Sequence, residues 1–511
     1  MGNPALEPLA PKRIGRGAMT PSGPAWQLLA RAAEGHGGRN PYLCTLEGVW
    51  SFQQVLEEVT RTAAFLLAHG GEVGERVVLA MGDRVEMVVA FWAALWAGMV
   101  AVPVAPSFSP RELREILVDS GARIALGDAT SAKALASAAE GLSVRLFFCE
   151  DKPPWSSTTH TASPVKSGGS EPALMLYTSG TTGRMKGVVH SHRNVLAAAG
   201  GLGPQVLNLT PEDRVFSAAR MFFAYGLGNS VYIPVACGCA AVVHPGPVLP
   251  GVVREILERF RPTVLFAVPS LYRALAPQPG VPWRSLRCAV SAGEKLPPEL
   301  WQLLTRRARV PVLDGLGMTE TLHHFTSNRP GEVAPGSVGR PLAGFSLKVL
   351  DEQGQPVAEG QVGELWVSGP SVMDGYFRQP EKTAVVLKEG WLRTGDLVSV
   401  RGGFVYHCGR RDDLVKLSGI AVFLSEVEEV LKKHPGVAEA AVVPVERGAG
   451  VATLKAFIVP RPGELPQANE LFRFCRRRLA AFKVPREFEV VESLPYTLTG
   501  KLRRFFLAAP R

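Results

Sequence analysis

The sequence predicts a layered α/β protein with a smaller C-terminal α+β domain, and three observations predict it. Strand-like apolar runs ("RVVLAM", "ARIALGD", "VRLFFCE") alternate with amphipathic stretches through the first half, the signature of α/β layering with largely parallel strands. From residue 344 the texture changes to short strands with turns ("FSLKVLDEQGQPV", "GELWVSG", "GFVYHCG"), which reads as a β-rich subdomain. After "GRRDD" (409–413) the chain carries its own pattern of helix, strand pair and helix, so a boundary is expected there. The expected domains are thus 1–408 and 414–511.

Each element follows from local chemistry. The uncharged run "MVVAFWAALWAGMVAVPVAP" (87–106) is long enough to span a bilayer, but Gly98 interrupts it and Pro103 follows. A buried helix over about 86–97, a glycine stop and a buried strand over about 99–104 account for it, without membrane insertion. The Pro/Ser/Thr-rich stretch 150–172 reads as a mobile surface connection. "TVLFAVPS" and "LRCAVSAGE" continue the strand-then-turn units, and helices are expected over about 425–434 and 467–480.

Bulk properties narrow the class. The 511 residues are 46% hydrophobic and 20% charged, an ordinary globular composition too long for one simple core. The formal net charge is +10, yet the basic residues are scattered. The densest run, "RFCRRRLA", falls in a helical pattern and reads as a solvated face rather than a nucleic-acid surface. A basic surface suits anionic small molecules. Seven cysteines without framework spacing look like reduced thiols, and no signal core opens the chain, so a cytoplasmic location is expected.

Four segments carry chemistry. "YTSGTTGRMKGVVHSH" (177–192) sets Gly180 and Gly183 among Thr178, Ser179, Thr181 and Thr182, ahead of Lys186. Glycines admit backbone N–H groups to an anion, hydroxyls donate to it, and lysine adds positive charge. It is not a Walker A loop, because no Gly-Lys-Ser/Thr ends it. "DGLGMTE" (314–320) offers the Thr319 hydroxyl and the Glu320 carboxylate, oxygen ligands suited to Mg²⁺ beside phosphates. In "GWLRTGDLV" (390–398) and "GRRDDLVKLSG" (409–419), Asp396 and Arg410 suit a ribose, as acceptor and donor. "PYTLTGKLRR" (495–504) carries Lys501 near the chain end.

In this order and spacing, these segments resemble the acyl-adenylate-forming superfamily of acyl-CoA ligases, luciferases and stand-alone adenylation domains. "SAGEKLP" (291–297) and "SEVEEVL" (425–431) extend the resemblance over nearly the whole chain. "FFAYGLGN", "TLHHFTSN" and "GSVGRPLAGF" look most like benzoate-CoA ligase and its aryl-CoA ligase relatives. No G-x-G-x-x-G opens a helix in a βαβ unit, which excludes a dinucleotide oxidoreductase. A catalytically silent binding protein on the same fold is argued against by the intact Lys186, Glu320, Asp396, Arg410 and Lys501.

The resemblance implies ATP, Mg²⁺ and coenzyme A. An aromatic carboxylate is converted to its adenylate with release of pyrophosphate, then passed to a thiol with release of AMP. Residues 178–187 become the phosphate loop, with Thr319 and Glu320 serving phosphate and Mg²⁺. Asp396 and Arg410 serve the ribose, Gly293, Glu294, Asp314 and Gly315 the adenine side, and Lys501 bridges carboxylate and phosphate. Asp412 is the expected hinge position, while Lys416 and Gly419 belong to the thiol-tunnel side of a mobile small domain. "AVFLSEVE" (421–428) departs from the family pattern, leaving free coenzyme A or a carrier-protein arm open as the acceptor; a homodimer is also left open.

The expected acyl pocket comprises Phe223, Ala224, Tyr225, Gly226, Gly317 and His323. Its segment has no acidic residue to balance a substrate ammonium, which disfavours α-amino acids. The aromatics suit a substrate ring, leaving benzoate, 2-aminobenzoate and hydroxybenzoates open. His324, the second histidine of "TLHHF", reads as an ordinary core or surface imidazole.

Overall fold

The structure, a computed structural model, describes residues 23–150, 152–179, 185–417, 420–447, 451–496, 502 and 504–508. The chain forms two compact units. The first comprises Met1–Gln361, Trp366–Thr394 and Val400–Tyr406; the second comprises Val362–Leu365, Gly395–Ser399 and His407–Arg511.

The first unit is built on two large sheets. In the nine-stranded sheet the central pairs, from Pro41–Cys44 through Ala240–Val242, Arg214–Ser217, Val264–Ala267 and Cys288–Ser291 to Val312–Gly317, are all parallel. Antiparallel strands His324–Ser327 and Arg340–Pro341 close one edge. The seven-stranded sheet likewise has a parallel centre (Arg76–Ala80, Val100–Pro103, Ile124–Asp128, Arg145–Cys149 and Pro172–Ser179). Its other edge is antiparallel, Pro172–Ser179 pairing with Met185–Ser191 and that strand with Gly375–Tyr376. Strands buried on both faces require near-continuous apolar runs, which is why "RVVLA" and "VAVP" are legible as core strands.

The apolar run of 87–106 resolves into helix Val85–Trp96 and strand Val100–Pro103. Gly98 stands between them at φ +70°, a left-handed turn that a side chain would strain. The helix is buried from Met87 to Trp96, as its uniformly apolar surface requires. Among the described residues no helix is long and apolar enough to cross a membrane.

The stretch 150–172 is more anchored than its composition suggests. Trp155 is fully buried. The Trp96 indole donates to the Ala162 carbonyl at 2.8 Å and the Trp26 indole to the Val165 carbonyl at 3.2 Å. One tryptophan inside the segment and two outside it supply what the polar composition hides.

The strand-rich texture after 344 becomes strands Ser346–Leu350, Val362–Ser368, Trp391–Arg401 and Phe404–Arg410. In the second unit, helices Leu424–Lys432 and Ala468–Arg476 contribute to a core with strands Val437–Arg447 and Val451–Pro460. The second helix ends at Arg476, four residues before the sequence-based limit of 480. The Arg478 guanidinium lies 3.7 Å from the centre of the Phe474 ring, so part of the basic run is engaged in a cation–π contact.

Candidate active site

The phosphate segment joins two antiparallel strands, with Thr178 opposite Lys186 and Ser179 opposite Met185. Gly180, Thr181, Thr182 and Gly183 lie outside the described residues, as does the side chain of Ser179. The Lys186 ammonium sits 4.1 Å from the centre of the Tyr376 ring. The Tyr376 hydroxyl donates to Glu320 Oε1 at 2.9 Å. One phenol thus connects the loop lysine to the buried Glu320 carboxylate through its face and its hydroxyl.

Glu320 lies in the turn Thr319–Thr321, between strands Val312–Gly317 and His324–Ser327. Three backbone carbonyls of this turn are held from outside. His190 Nε2 meets the Thr319 carbonyl at 2.8 Å, Met373 N–H donates to the Glu320 carbonyl at 2.8 Å, and the Ser371 hydroxyl donates to the Thr321 carbonyl at 2.7 Å. Burial lowers the His190 pKa to about 3, so at neutral pH the uncharged ring uses Nε2–H as donor.

The strand Val312–Gly317 runs through "DGLG" instead of ending before it, which puts Asp314, Gly315 and Gly317 on the sheet. Burial pushes the Asp314 carboxyl up to about 8, so it is largely protonated at neutral pH. Glu294 is exposed and accepts from Ser270 N–H at 3.0 Å and from its hydroxyl at 2.8 Å, at the start of helix Pro269–Leu275. Gly293 beside it is exposed, at φ +85°.

Of the residues expected to line an acyl pocket, Tyr225, His323 and Gly317 come together. Helix Ala224–Leu227 continues into a wider π-helical turn, Gly228–Tyr232, a distortion frequent at functional sites. Tyr225 stacks on His324 with centroids 5.3 Å apart and planes at 15°, while His323 lies 5.5 Å away. His323 Nε2–H donates to Asn229 Oδ1 at 3.0 Å. Phe222 and Phe223 meet edge to face at 4.5 Å, and Ala224 is buried beside them. Both imidazoles need glycine neighbours. A Cβ on Gly228 would fall 2.5 Å from His323 Cδ2, and one on Gly315 would fall 2.6 Å from His324 Nδ1. Gly226 and Gly317 have equally little room, each facing backbone carbonyl oxygen.

In the second unit, buried Asp396 accepts from Arg410 at 3.0 Å and from His407 at 3.1 Å. Burial alone would raise its pKa, but His407 and Arg410 outweigh it and hold the carboxyl below the usual range. Asp412 is exposed in the turn Arg411–Asp413. Lys501 and Gly419 lie outside the described residues, as does the side chain of Lys416. Arg504, three residues after Lys501 in the sequence, donates to Asp413 at 2.7 Å and to both oxygens of Glu428 at 2.8 Å.

The model of the AMP-binding enzyme family matches residues 29–377, and that of its C-terminal domain matches residues 426–501. The chain belongs to the AMP-binding enzyme family. A 4-hydroxybenzoate–CoA/benzoate–CoA ligase of Rhodopseudomonas palustris is 34% identical, over 93% of this chain and 91% of its own. A solved benzoate CoA ligase of Burkholderia xenovorans superposes with a TM-score of 0.86 at 34% identity, covering 95% of this chain and 100% of that one. A solved anthranilate CoA ligase in complex with anthranoyl-AMP gives 0.86 at 31% identity, covering 95% and 96%. The solved relatives confirm the expected α/β architecture with its smaller C-terminal part.

This AMP-binding enzyme has site residues that motif reading did not assign. Tyr376 lies in "SVMDGYF", a stretch outside the quoted segments. Asn229 and His190 fall inside quoted segments without a role, and Arg504 follows the terminal lysine. This mixed stretch carries no spacing signal; only the fold shows that the Tyr376 hydroxyl ends on Glu320.

Proposed function

We propose that the protein is an ATP-dependent, AMP-forming aryl-CoA ligase acting on an aromatic carboxylate. Two observations in one hairpin support this. Its turn presents the Glu320 carboxylate, tied through Tyr376 to Lys186, and its next residues place His323 and His324 against Tyr225. Phosphate chemistry and an uncharged aromatic wall are therefore adjacent along the chain.

In the first half-reaction a substrate carboxylate oxygen bonds to the α-phosphorus of ATP and pyrophosphate leaves. Lys186, with Thr178, Ser179, Gly180, Thr181, Thr182 and Gly183, neutralises and hydrogen-bonds the phosphates. Lys501 bridges carboxylate and phosphate. Asp396 and Arg410 hold the ribose. The largely protonated Asp314 presents both a donor and an acceptor, as an amide would, toward the adenine edge. Among the described residues no cluster of three or more carboxylate, imidazole or thiol groups would enclose a metal ion. The Glu320 carboxylate and the Thr319 hydroxyl are hard oxygen donors that would hold Mg²⁺ together with the phosphates, the way this ion usually meets nucleotides. When bound it supplies charge neutralisation on the phosphates.

In the second half-reaction the thiol sulfur of coenzyme A bonds to the acyl carbon and AMP leaves with the electron pair. The 409–413 segment, with Asp412, acts as the hinge that exchanges Lys501 for Lys416 and Gly419. On the acyl side, burial holds His323 and His324 uncharged, and no carboxylate lies in "FFAYGLGN", so a neutral aromatic ring is accepted over an amino acid's ammonium.

The test is pyrophosphate release from ATP with benzoate, hydroxybenzoates, aminobenzoates, cinnamates, medium-chain acids and amino acids, each with and without coenzyme A. Benzoate-type acids are expected to lead, with AMP release accelerated by coenzyme A. Turnover confined to aliphatic or amino acids would sink the reading, whereas AMP release indifferent to coenzyme A would point to a carrier-protein acceptor.

A further inference from the structure

The acyl side holds more polar capacity than the described residues satisfy. His324 is 3% exposed, and neither Nδ1 nor Nε2 has a hydrogen-bond partner among the described residues. His323 spends Nε2–H on Asn229, which leaves its buried Nδ1 as an unpaired acceptor. Thr326 Oγ1, two residues along the same strand as His324, is also buried and unpaired. An unpaired buried polar group costs about 1–3 kcal/mol, so four such atoms in one short stretch are expensive to leave without a ligand.

The packing explains why His324 cannot relieve the cost by moving. One face lies on the Tyr225 ring, and Gly315 supplies the gap in which Nδ1 sits. A leucine or phenylalanine there would pack on Tyr225 without any unpaired atom. A neutral imidazole offers one N–H and one lone pair, so it pairs with a group that is itself both donor and acceptor, or with either alone.

We propose that His324 is a specificity-determining residue that pairs with an uncharged hydrogen-bonding substituent, a hydroxyl or an amino group, on the ring of the aromatic acid. The proposal rests on the aryl-CoA ligase reading above and adds the substituent class. An anionic second substituent finds no cation among Tyr225, Asn229, His323, His324 and Thr326, and is rejected. Unsubstituted benzoate leaves the imidazole unpaired and is turned over less efficiently.

The experiment compares kcat/KM for pyrophosphate release across benzoate and the three positional isomers each of hydroxybenzoate and aminobenzoate. It uses the full chain and the variants His324→Leu and His324→Gln. In the unsubstituted protein the best hydroxy or amino isomer is expected to exceed benzoate by about 10- to 100-fold. His324→Leu should bring that ratio near one whatever it does to benzoate turnover itself, and His324→Gln, which keeps a donor and an acceptor, should retain part of the preference. A merely structural role would lower all acids by one common factor. That outcome, or a ratio near one in the unsubstituted protein, overturns the proposal while leaving the ligase reading intact. No turnover of any aromatic acid overturns both. If His324→Leu does not fold, the unsubstituted and His324→Gln ratios still decide.

Discussion

The phosphate side and the acyl side of this site grow from one hairpin, Val312–Ser327, and differ in how far their buried polar atoms are paired, although His190 Nδ1 and Asp314 Oδ1 also lack partners among the described residues. At the turn, the Glu320 carboxylate is paired with Tyr376, and the surrounding carbonyls are held by His190, Met373 and Ser371. One strand further on, His323 and His324 keep three ring nitrogens without partners among the described residues. The difference matches the two substrates. Triphosphate is the same in every turnover and calls for a rigid, pre-paired frame, in which little reorganises as charge develops. The acid is what distinguishes one ligase from another, and in the proposal above its recognition is left to groups that the described residues do not pair.

The contrast is broken most directly at the turn. Glu320→Gln should lower the adenylation rate by about 10²- to 10³-fold, the range seen when one preorganised electrostatic group is removed. Tyr376→Phe keeps the ring under Lys186 but loses the hydroxyl on Glu320, and should cost about tenfold. Tyr376→Leu loses both contacts and should cost more. Single-turnover formation of the adenylate reads each variant. If Tyr376→Phe equals the unsubstituted protein, the paired frame is not what the phosphate side depends on.

These residues also mark how far the sequence was legible. Lys186, Glu320, Asp396 and Arg410 stand out in the sequence because the phosphate, metal and ribose roles proposed for them demand particular residue types, and short-range spacing delivers them. The parallel core strands are readable because burial on both faces leaves only apolar letters. Tyr376 was not, since the contact depends on strand Gly375–Tyr376 pairing with Met185–Ser191, a long-range register no local pattern encodes. His324 read as an ordinary imidazole. Its burial, its stacking on Tyr225 and its empty hydrogen-bonding capacity all arise from the approach of helix Ala224–Leu227. The anchoring of 150–172 was missed because one tryptophan among many hydroxyls outweighs composition.

A second charged anchor sharpens the comparison within the smaller unit. Arg504 spans Asp413 and Glu428, side chains that are 21%, 23% and 8% exposed. Glu428 also accepts from Val442 N–H at 2.8 Å. Removing the guanidinium leaves a mostly buried carboxylate short of its cation. Arg504→Met is expected to destabilise the C-terminal unit by about 2 kcal/mol, less than a fully buried pair because water reaches part of it. It should also slow adenylation more than thioester formation from supplied aroyl-AMP if Lys501, three residues earlier in the sequence, has the adenylation role proposed for it. Denaturant unfolding together with the two half-reactions checks this, and equal losses in both would remove the link to Lys501.

The smallest effect concerns protons and tests the acyl side without a substrate. Burial lowers the His324 pKa to about 3, against 6.5 for an exposed imidazole. The folded-state value is depressed, so the unfolded chain takes up a proton here that the native protein refuses. The neutral ring's contribution is therefore fully present above pH 6.5 and is lost as pH falls toward about 3. Across that window one such histidine steepens the loss of stability by about 1.4 kcal/mol per pH unit. His190 and His192, lowered to about 3 and about 4, add to the slope in the same direction, and Asp83 and Asp314, raised by burial, oppose it. The useful measurement is therefore a difference. Urea unfolding free energies of the unsubstituted protein and of His324→Leu, taken from pH 7.5 to 4.5, should diverge in slope below 6.5, the variant falling more gently. Parallel slopes would mean that His324 gains its proton as readily folded as unfolded. Water would then reach its nitrogens in the free protein, and the case for a substituent that must pair with them would fall as well.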